Sequence, residues 1–216
     1  MFHITFRDHK NLNQYSEHDN ESFANLFNLD RRNVKKFGGS SWLLIFHHDS
    51  IGEKYFTPDN CKYNIDPQLY SIIDDEELYS QSYKKFGSFY FLLEYPEVST
   101  YQIFMQKAFI TANLSDVGYK KVFGDDWNLF NGLALSNGYN YSYIDGTPGH
   151  SFNYWFYSIG AWSHQYKPRI PGPIFNNDYT FVYNVNLWIM IPKTPTLDCK
   201  FIFNFRLLLI SVFIIM

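Results

Sequence analysis

Apolar residues in this chain fall in short runs punctuated by turn formers, a pattern that predicts many short strands and few helices. Trp42-Leu43-Leu44-Ile45-Phe46 is long enough for a buried strand and too short for an ordinary helix. Phe89-Tyr90-Phe91-Leu92-Leu93-Glu94-Tyr95 reads as a strand stopped by Pro96. Residues 101–106 and 107–110 read as a strand pair or as one long bent strand. Residues 154–162 are the most apolar part of the body and predict a central strand. In 180–191, alternation from Val185 onward predicts the last strand. Residues 168–173 hold three prolines, which excludes a central strand, and they read as a loop. Asn137-Gly138 and Asp145-Gly146 tolerate positive φ in tight hairpins and bracket one further strand.

Helical signals are confined to the first part of the chain. Phe2 to Phe6 alternates as an edge strand, and Asn20 is a candidate cap for a helix carrying Phe23, Leu26 and Phe27 on one face. The charged stretch 30–36 ends that helix, and Gly38-Gly39 marks a break. Asp66-Pro67 reads as a second helix entry. Asp74, Asp75, Glu76 and Glu77 precede Lys84 and Lys85, a charge order that complements a helix dipole and predicts a helix over 75–85. The resulting division is an N-terminal strand, loop and short helix (1–36), a β domain (37–192), a linker (193–200) and a hydrophobic tail (201–216).

Composition narrows the class further. At 46 % hydrophobic and 18 % charged, the chain can bury a core and is unlike a disordered sequence. Aromatic content of 21 % favours pleated, half-buried surfaces, although an AT-rich coding sequence raises Phe and Tyr in the same way. A net charge of −3 without a basic stripe argues against nucleic acid as a partner. The two cysteines, Cys61 and Cys199, permit one disulfide without indicating a compartment. No signal peptide is visible at the N-terminus. The apolar tail reads either as a membrane attachment or as a gene-end artefact or buried terminal strand. Sequons at Asn20, Asn113 and Asn140 are no more than abundant Asn and Ser produce by coincidence.

A set of motifs recurs in a familiar order: Gly132-Leu133-Ala134-Leu135-Ser136, Ile144-Asp145-Gly146, Trp155-Phe156-Tyr157-Ser158-Ile159-Gly160, Ile170-Pro171-Gly172-Pro173 and Val185-Asn186-Leu187-Trp188-Ile189. Over roughly residues 88–191 the chain resembles uncharacterised modules of protist and invertebrate surface proteins that accompany lectin-like or fibrinogen-like domains. That resemblance implies an extracellular or cell-surface setting and a β-sandwich, and it carries over no catalytic residue.

Candidate chemistry is sparse. His47 and His48 are adjacent, so on a strand they point to opposite faces and cannot share a metal without a bulge; His150 and His164 are the other histidines that could meet them. Asp125 and Asp126, in a Gly124-to-Gly132 loop rich in Asp and Asn, are the hard oxygen donors calcium prefers, without the EF-hand spacing; the same residues serve any hairpin turn. There is no nucleophile elbow and no phosphate loop. Glu94 and Glu97 flank Pro96 as an ordinary surface pair. Aromatic rings beside amides and carboxylates suit sugar or protein recognition, and Trp127, Asn128, Tyr139, Tyr141, Asp145, His150 and Trp162 form the candidate ligand-binding set. Tyr139, Tyr141 and Tyr143 share one strand face, either as a binding strip or as part of the core.

The expectation is a β-dominated α+β fold: an antiparallel β-sandwich of lectin-like or jelly-roll type with one or two short helices in its N-terminal part. The expected function is non-enzymatic recognition of glycan or protein at a cell surface or in the matrix, with membrane association through the tail. Two alternatives stand beside it. One is a carbohydrate- or peptide-acting hydrolase using Asp125, Asp126, Asp145 or His150; the other is a structural fragment of a larger surface protein.

Overall fold

Residues 33–78, 80–114, 116–134 and 156–192 are described by the computed structural model. Strand β1 (Val34–Phe37) turns through Gly38 and Gly39, both at positive φ, into β2 (Ser40–Asp49). A two-residue loop with both φ values positive matches the strand twist, and glycine takes it without strain. Then follow β3 (Tyr63–Ile65), β4 (Leu69–Ile72), the helix α1 (Ile73–Leu78), β5 (Phe89–Tyr95), β6 (Thr100–Gln106), β7 (Lys120–Gly124), β8 (Ile170–Phe175), β9 (Asp178–Val182) and β10 (Asn184–Ile191). The class is the expected one: strand-dominated, antiparallel and sandwich-like, with little helix.

The large sheet runs β3-β4-β2-β10-β5-β6-β7, with β1 also on β2, while β8 and β9 form a separate hairpin. Every pairing is antiparallel. Period-two alternation sorts the side chains. Leu43, Phe46, Leu187, Ile189, Phe91, Leu93 and Phe104 face one another on the main face. Trp42, Met190, Leu92 and Ile103 pack together on the second face. Over the main face lie the β8–β9 hairpin and irregular chain, contributing Phe109, Trp127, Phe130, Leu133, Phe156, Tyr157, Ile174 and Val182.

Two buried glutamines of β6 hold that irregular chain down. Gln106 donates to the carbonyls of Ala108 and Leu133 and accepts from the Leu133 amide. Gln102 donates to the Asp125 carbonyl and accepts from the Tyr119 hydroxyl. Buried loop backbone is tolerated only when its polar groups are paired, and these amides pair them.

Several local expectations change. Residues 34–37 are a strand, not a helix terminus, so pairing begins ahead of the expected boundary at residue 37. Asp66 starts no helix; its carboxylate and carbonyl accept from the Gln68 and Leu69 amides in a turn that opens β4. The expected 75–85 helix is shorter and split into α1 and a 3-10 turn at Ser80–Tyr83. Dipole complementarity contributes only tenths of a kcal/mol in such a place. Burying Tyr83, whose hydroxyl donates to the buried Glu76 carboxylate, outweighs it. Residues 107–110 leave the sheet: the Lys107 and Ala108 amides both donate to the Val117 carbonyl instead of continuing a ladder, and Phe109 and Ile110 turn into the main core.

The expected central strand over 154–162 is not present in its described part. Phe156, Tyr157, Ser158, Ile159, Gly160 and Ala161 are all buried in irregular chain, with Tyr157 and Gly160 at positive φ. The central place goes to β10. The proline-bearing segment is no loop but β8, and its register shifts between Pro171 and Ile174, so the prolines sit where the ladder is interrupted. The N-terminal strand and helix, Cys199, Asn137-Gly138, Asp145-Gly146, the Tyr139–Tyr143 row and the 201–216 tail lie outside the described residues. Among the described residues no helix is long and apolar enough to cross a membrane.

His47 and His48 do point to opposite faces. His47 Nδ1 meets Asn186 Oδ1 at 2.6 Å on the second face. His48 is 0 % exposed on the main face, edge-on to Tyr55 and Phe56, with Nε2 3.2 Å from the Lys54 carbonyl and Nδ1 without a partner among the described residues. Burial pulls its pKa down to about 4, against a weaker opposing effect of the Lys54 carbonyl. The unfolded chain therefore takes up a proton on His48 at higher pH than the fold does. Stability from this residue is complete above about pH 6.5 and is lost as pH falls towards 4, amounting to about 3 kcal/mol in all. Burial of Glu76 raises its carboxyl pKa and acts with the opposite slope. Urea titrations of the wild type and His48→Gln at pH 7 and pH 4.5 separate the two: the wild type should lose more stability on acidification than the variant.

Candidate binding site

The second face of the large sheet carries the site. Alternation places Lys35 and Phe37 of β1, Trp42 of β2, Trp188 and Met190 of β10, Tyr90, Leu92 and Glu94 of β5, and Tyr101 and Ile103 of β6 on this face. Phe123 of β7 stands opposite Ile103. In the strand order, β1 and β6 are four lateral steps apart, roughly 19 Å in a flat sheet. Yet the Phe37 and Tyr101 rings meet edge to face at 5.2 Å. The sheet therefore curls, with its second face inside. Irregularities in the β2–β10 and β6–β7 registers, which leave Ile45 and Val122 outside the pairing, supply added bend.

The curl forms two adjoining depressions that share Phe37 and Phe123. One, of about 730 Å³, has a mixed lining that includes Phe37, Glu94, Ser99, Thr100, Tyr101 and Asp125. The other, of about 660 Å³, is apolar, lined by Trp42, Phe86, Tyr90, Ile103, Val122 and Met190, with Lys85 as its only charged lining residue among the described residues. Both lie in the size range of small-ligand sites.

Each carboxylate of the polar depression has a defined setting. Glu94 accepts from the Lys35 ammonium through one oxygen and from Trp188 Nε1 at 2.6 Å through the other. Lys35 also lies 4.3 Å above the Trp188 ring. Burial lowers the Lys35 pKa, and the attraction of Glu94 only partly opposes this. Asp125 Oδ2 accepts from the Thr100 hydroxyl and, at 3.4 Å, from the Tyr101 amide. The Asp125 side chain stays exposed. Burial raises the Tyr101 phenol pKa, and the negative charges of Asp125 and Glu94 raise it further, so this hydroxyl stays neutral.

The expected site residues separate. Asp125 reaches the polar depression. Trp127 is 7 % exposed and belongs to the core, in ring contact with Tyr95, Phe130 and Tyr157, its Nε1 donating to Thr100 Oγ1 at 3.0 Å. Asn128 accepts from the Asn176 amide and tethers the β8–β9 turn. Trp162 stacks on Tyr55 and donates to the Phe56 carbonyl, far from Trp127 in its contacts. Tyr139, Tyr141, Asp145 and His150 lie outside the described residues. The Asp125 and Asp126 pair expected for calcium diverges, with Asp126 in an ion pair with Lys121. Among the described residues no group of three or more His, Cys, Asp or Glu side chains converges on a metal position.

Sequence reading passed over Phe37, Tyr101 and Phe123 as site residues. Period-two spacing does put Tyr101 and Ile103 on one face, but nothing local says that this face curls round Phe37. No protein-family model matches the chain, and no curated protein matches it.

Two substitutions distinguish core from site. Trp127→Ala should cost about 3–5 kcal/mol of stability, as for a large core ring, read by urea denaturation. Gly124 sits at φ +100, and a Cβ there would lie 2.4 Å from the Tyr101 carbonyl oxygen. Gly124→Ala should therefore displace the Asp125 loop, visible as loss of the Asp125-to-Tyr101 amide protection in hydrogen exchange.

Proposed function

We propose that this protein is a non-enzymatic recognition module that binds glycan in the polar depression of the curled sheet, acting at a cell surface or in the matrix. The observation that carries the reading is the arrangement of the Phe37, Tyr101 and Phe123 rings beside the exposed carboxylate of Asp125. Sugar rings present flat C–H faces with hydroxyls at their edges, and aromatic faces flanked by fixed acceptors complement both. The ordered motifs over 88–191 point towards the same class of surface module.

The hydrolase alternative draws less support. Two acidic side chains do share the depression, as a glycosidase requires. However, both Glu94 oxygens are engaged by Lys35 and Trp188, which leaves that carboxylate an anchor for the wall rather than a free acid or base.

A glycan array with the full chain, followed by titration calorimetry on the hits, tests the reading. Tyr101→Ala should weaken binding at least tenfold while the thermal midpoint shifts by only a few degrees. Glycan turnover surviving that substitution, with no measurable binding to the array, would favour the hydrolase instead.

A further inference from the structure

We infer that the ligand is amphipathic: a glycan carrying an apolar aglycone, with its sugar in the polar depression and its alkyl chain in the apolar one. This rests on the glycan reading and narrows it to a class of ligand. The two depressions are neighbours, not separate sites, since Phe37 and Phe123 line both. Along β5 and β6 the polar residues Glu94 and Tyr101 stand at one end, while Tyr90 and Ile103 stand towards the other, so a ligand lying along the strands passes from polar to apolar lining.

The apolar end is open as well as concave. Phe86 is 88 % exposed and Val122 is 43 % exposed at its rim. Phe86 occupies a turn at φ 53, a conformation that favours Gly or Asn, so a bulky ring is held out there against the local preference. A large ring held in water beside a cavity floored by Trp42, Ile103 and Met190 gains by covering a further apolar group. Within the apolar depression, among the described residues, Lys85 is the only ionic lining group and its ammonium lies 5.8 Å from the Phe86 ring. A second sugar would find no carboxylate there to accept its hydroxyls. An alkyl chain needs none.

Paired methyl and octyl β-glycosides of glucose, galactose, mannose and N-acetylglucosamine, each below its micelle concentration, test the inference by calorimetry with the full chain. For the sugar that binds, the octyl member should bind at least tenfold tighter than the methyl member. Phe86→Asn, which suits the backbone at that turn, should reduce the octyl advantage to about threefold or less, and an undiminished advantage overturns the seating of the alkyl chain beside Phe86. Equal affinities within a binding pair overturn the amphipathic ligand and leave glycan recognition standing. Octan-1-ol binding as tightly as every octyl glycoside also overturns it, because the sugar would then contribute nothing. Silence from every glycoside together with a silent array overturns the glycan reading itself.

Discussion

The structure depends on β10 lying between β2 and β5. Its eight residues run along β2 on one edge, and the four from Asn186 to Ile189 also pair with β5 on the other, so that stretch of backbone must satisfy two ladders at once. A shift of one residue would move Leu187 and Ile189 out of the main core and turn Trp188 and Met190 into it. The arrangement also joins chain segments more than a hundred residues apart, since β10 neighbours β2 near the beginning of the described fold. Loop closure over that distance is the entropic cost that the paired apolar faces must offset.

Once β10 is in register, the two faces take different roles. The main face is covered by the β8–β9 hairpin and by loops whose carbonyls and amides are held by Gln102 and Gln106. Two amide side chains thus allow irregular chain to serve as the second layer of a sandwich. The second face has no such layer among the described residues and closes partly upon itself, bringing Phe37 onto Tyr101. Glu94 with Lys35 and Trp188 stiffens one wall of that curl, and Gly124 admits the close approach of β7 to the Tyr101 carbonyl. The proposed recognition role would use this concave side of the sheet.

Residue patterns along the chain were a guide to the strand-rich class and to the strands that alternate or run apolar in isolation, and a poor one to the site. Phe89–Tyr95 and the alternation from Val185 were legible because period two is a local property. Trp127 looked like a ligand platform because a tryptophan among Asp, Asn and Gly has the same composition in a binding loop and in a loop folded over a core. Its Nε1 bond to Thr100 and its contact with Tyr157 decide between these, and both partners are distant in sequence. Residues around 156–161 looked like a strand since six consecutive apolar or small residues demand burial, and burial alone does not specify extended backbone. Tyr157 instead takes positive φ and donates its hydroxyl to the Asn128 carbonyl.

By itself the sequence determined that this chain folds with short antiparallel strands, where β2, β5, β6 and β10 lie, and that His47 and His48 part to opposite faces. These follow from alternation, proline placement and turn chemistry, which act between neighbouring residues. Tertiary structure alone decided the strand order, the curl of the sheet and the meeting of Phe37, Tyr101, Phe123 and Asp125. Those depend on which strands share hydrogen bonds and how far the sheet bends. Contacts of that kind join residues remote along the chain, and no local pattern encodes them.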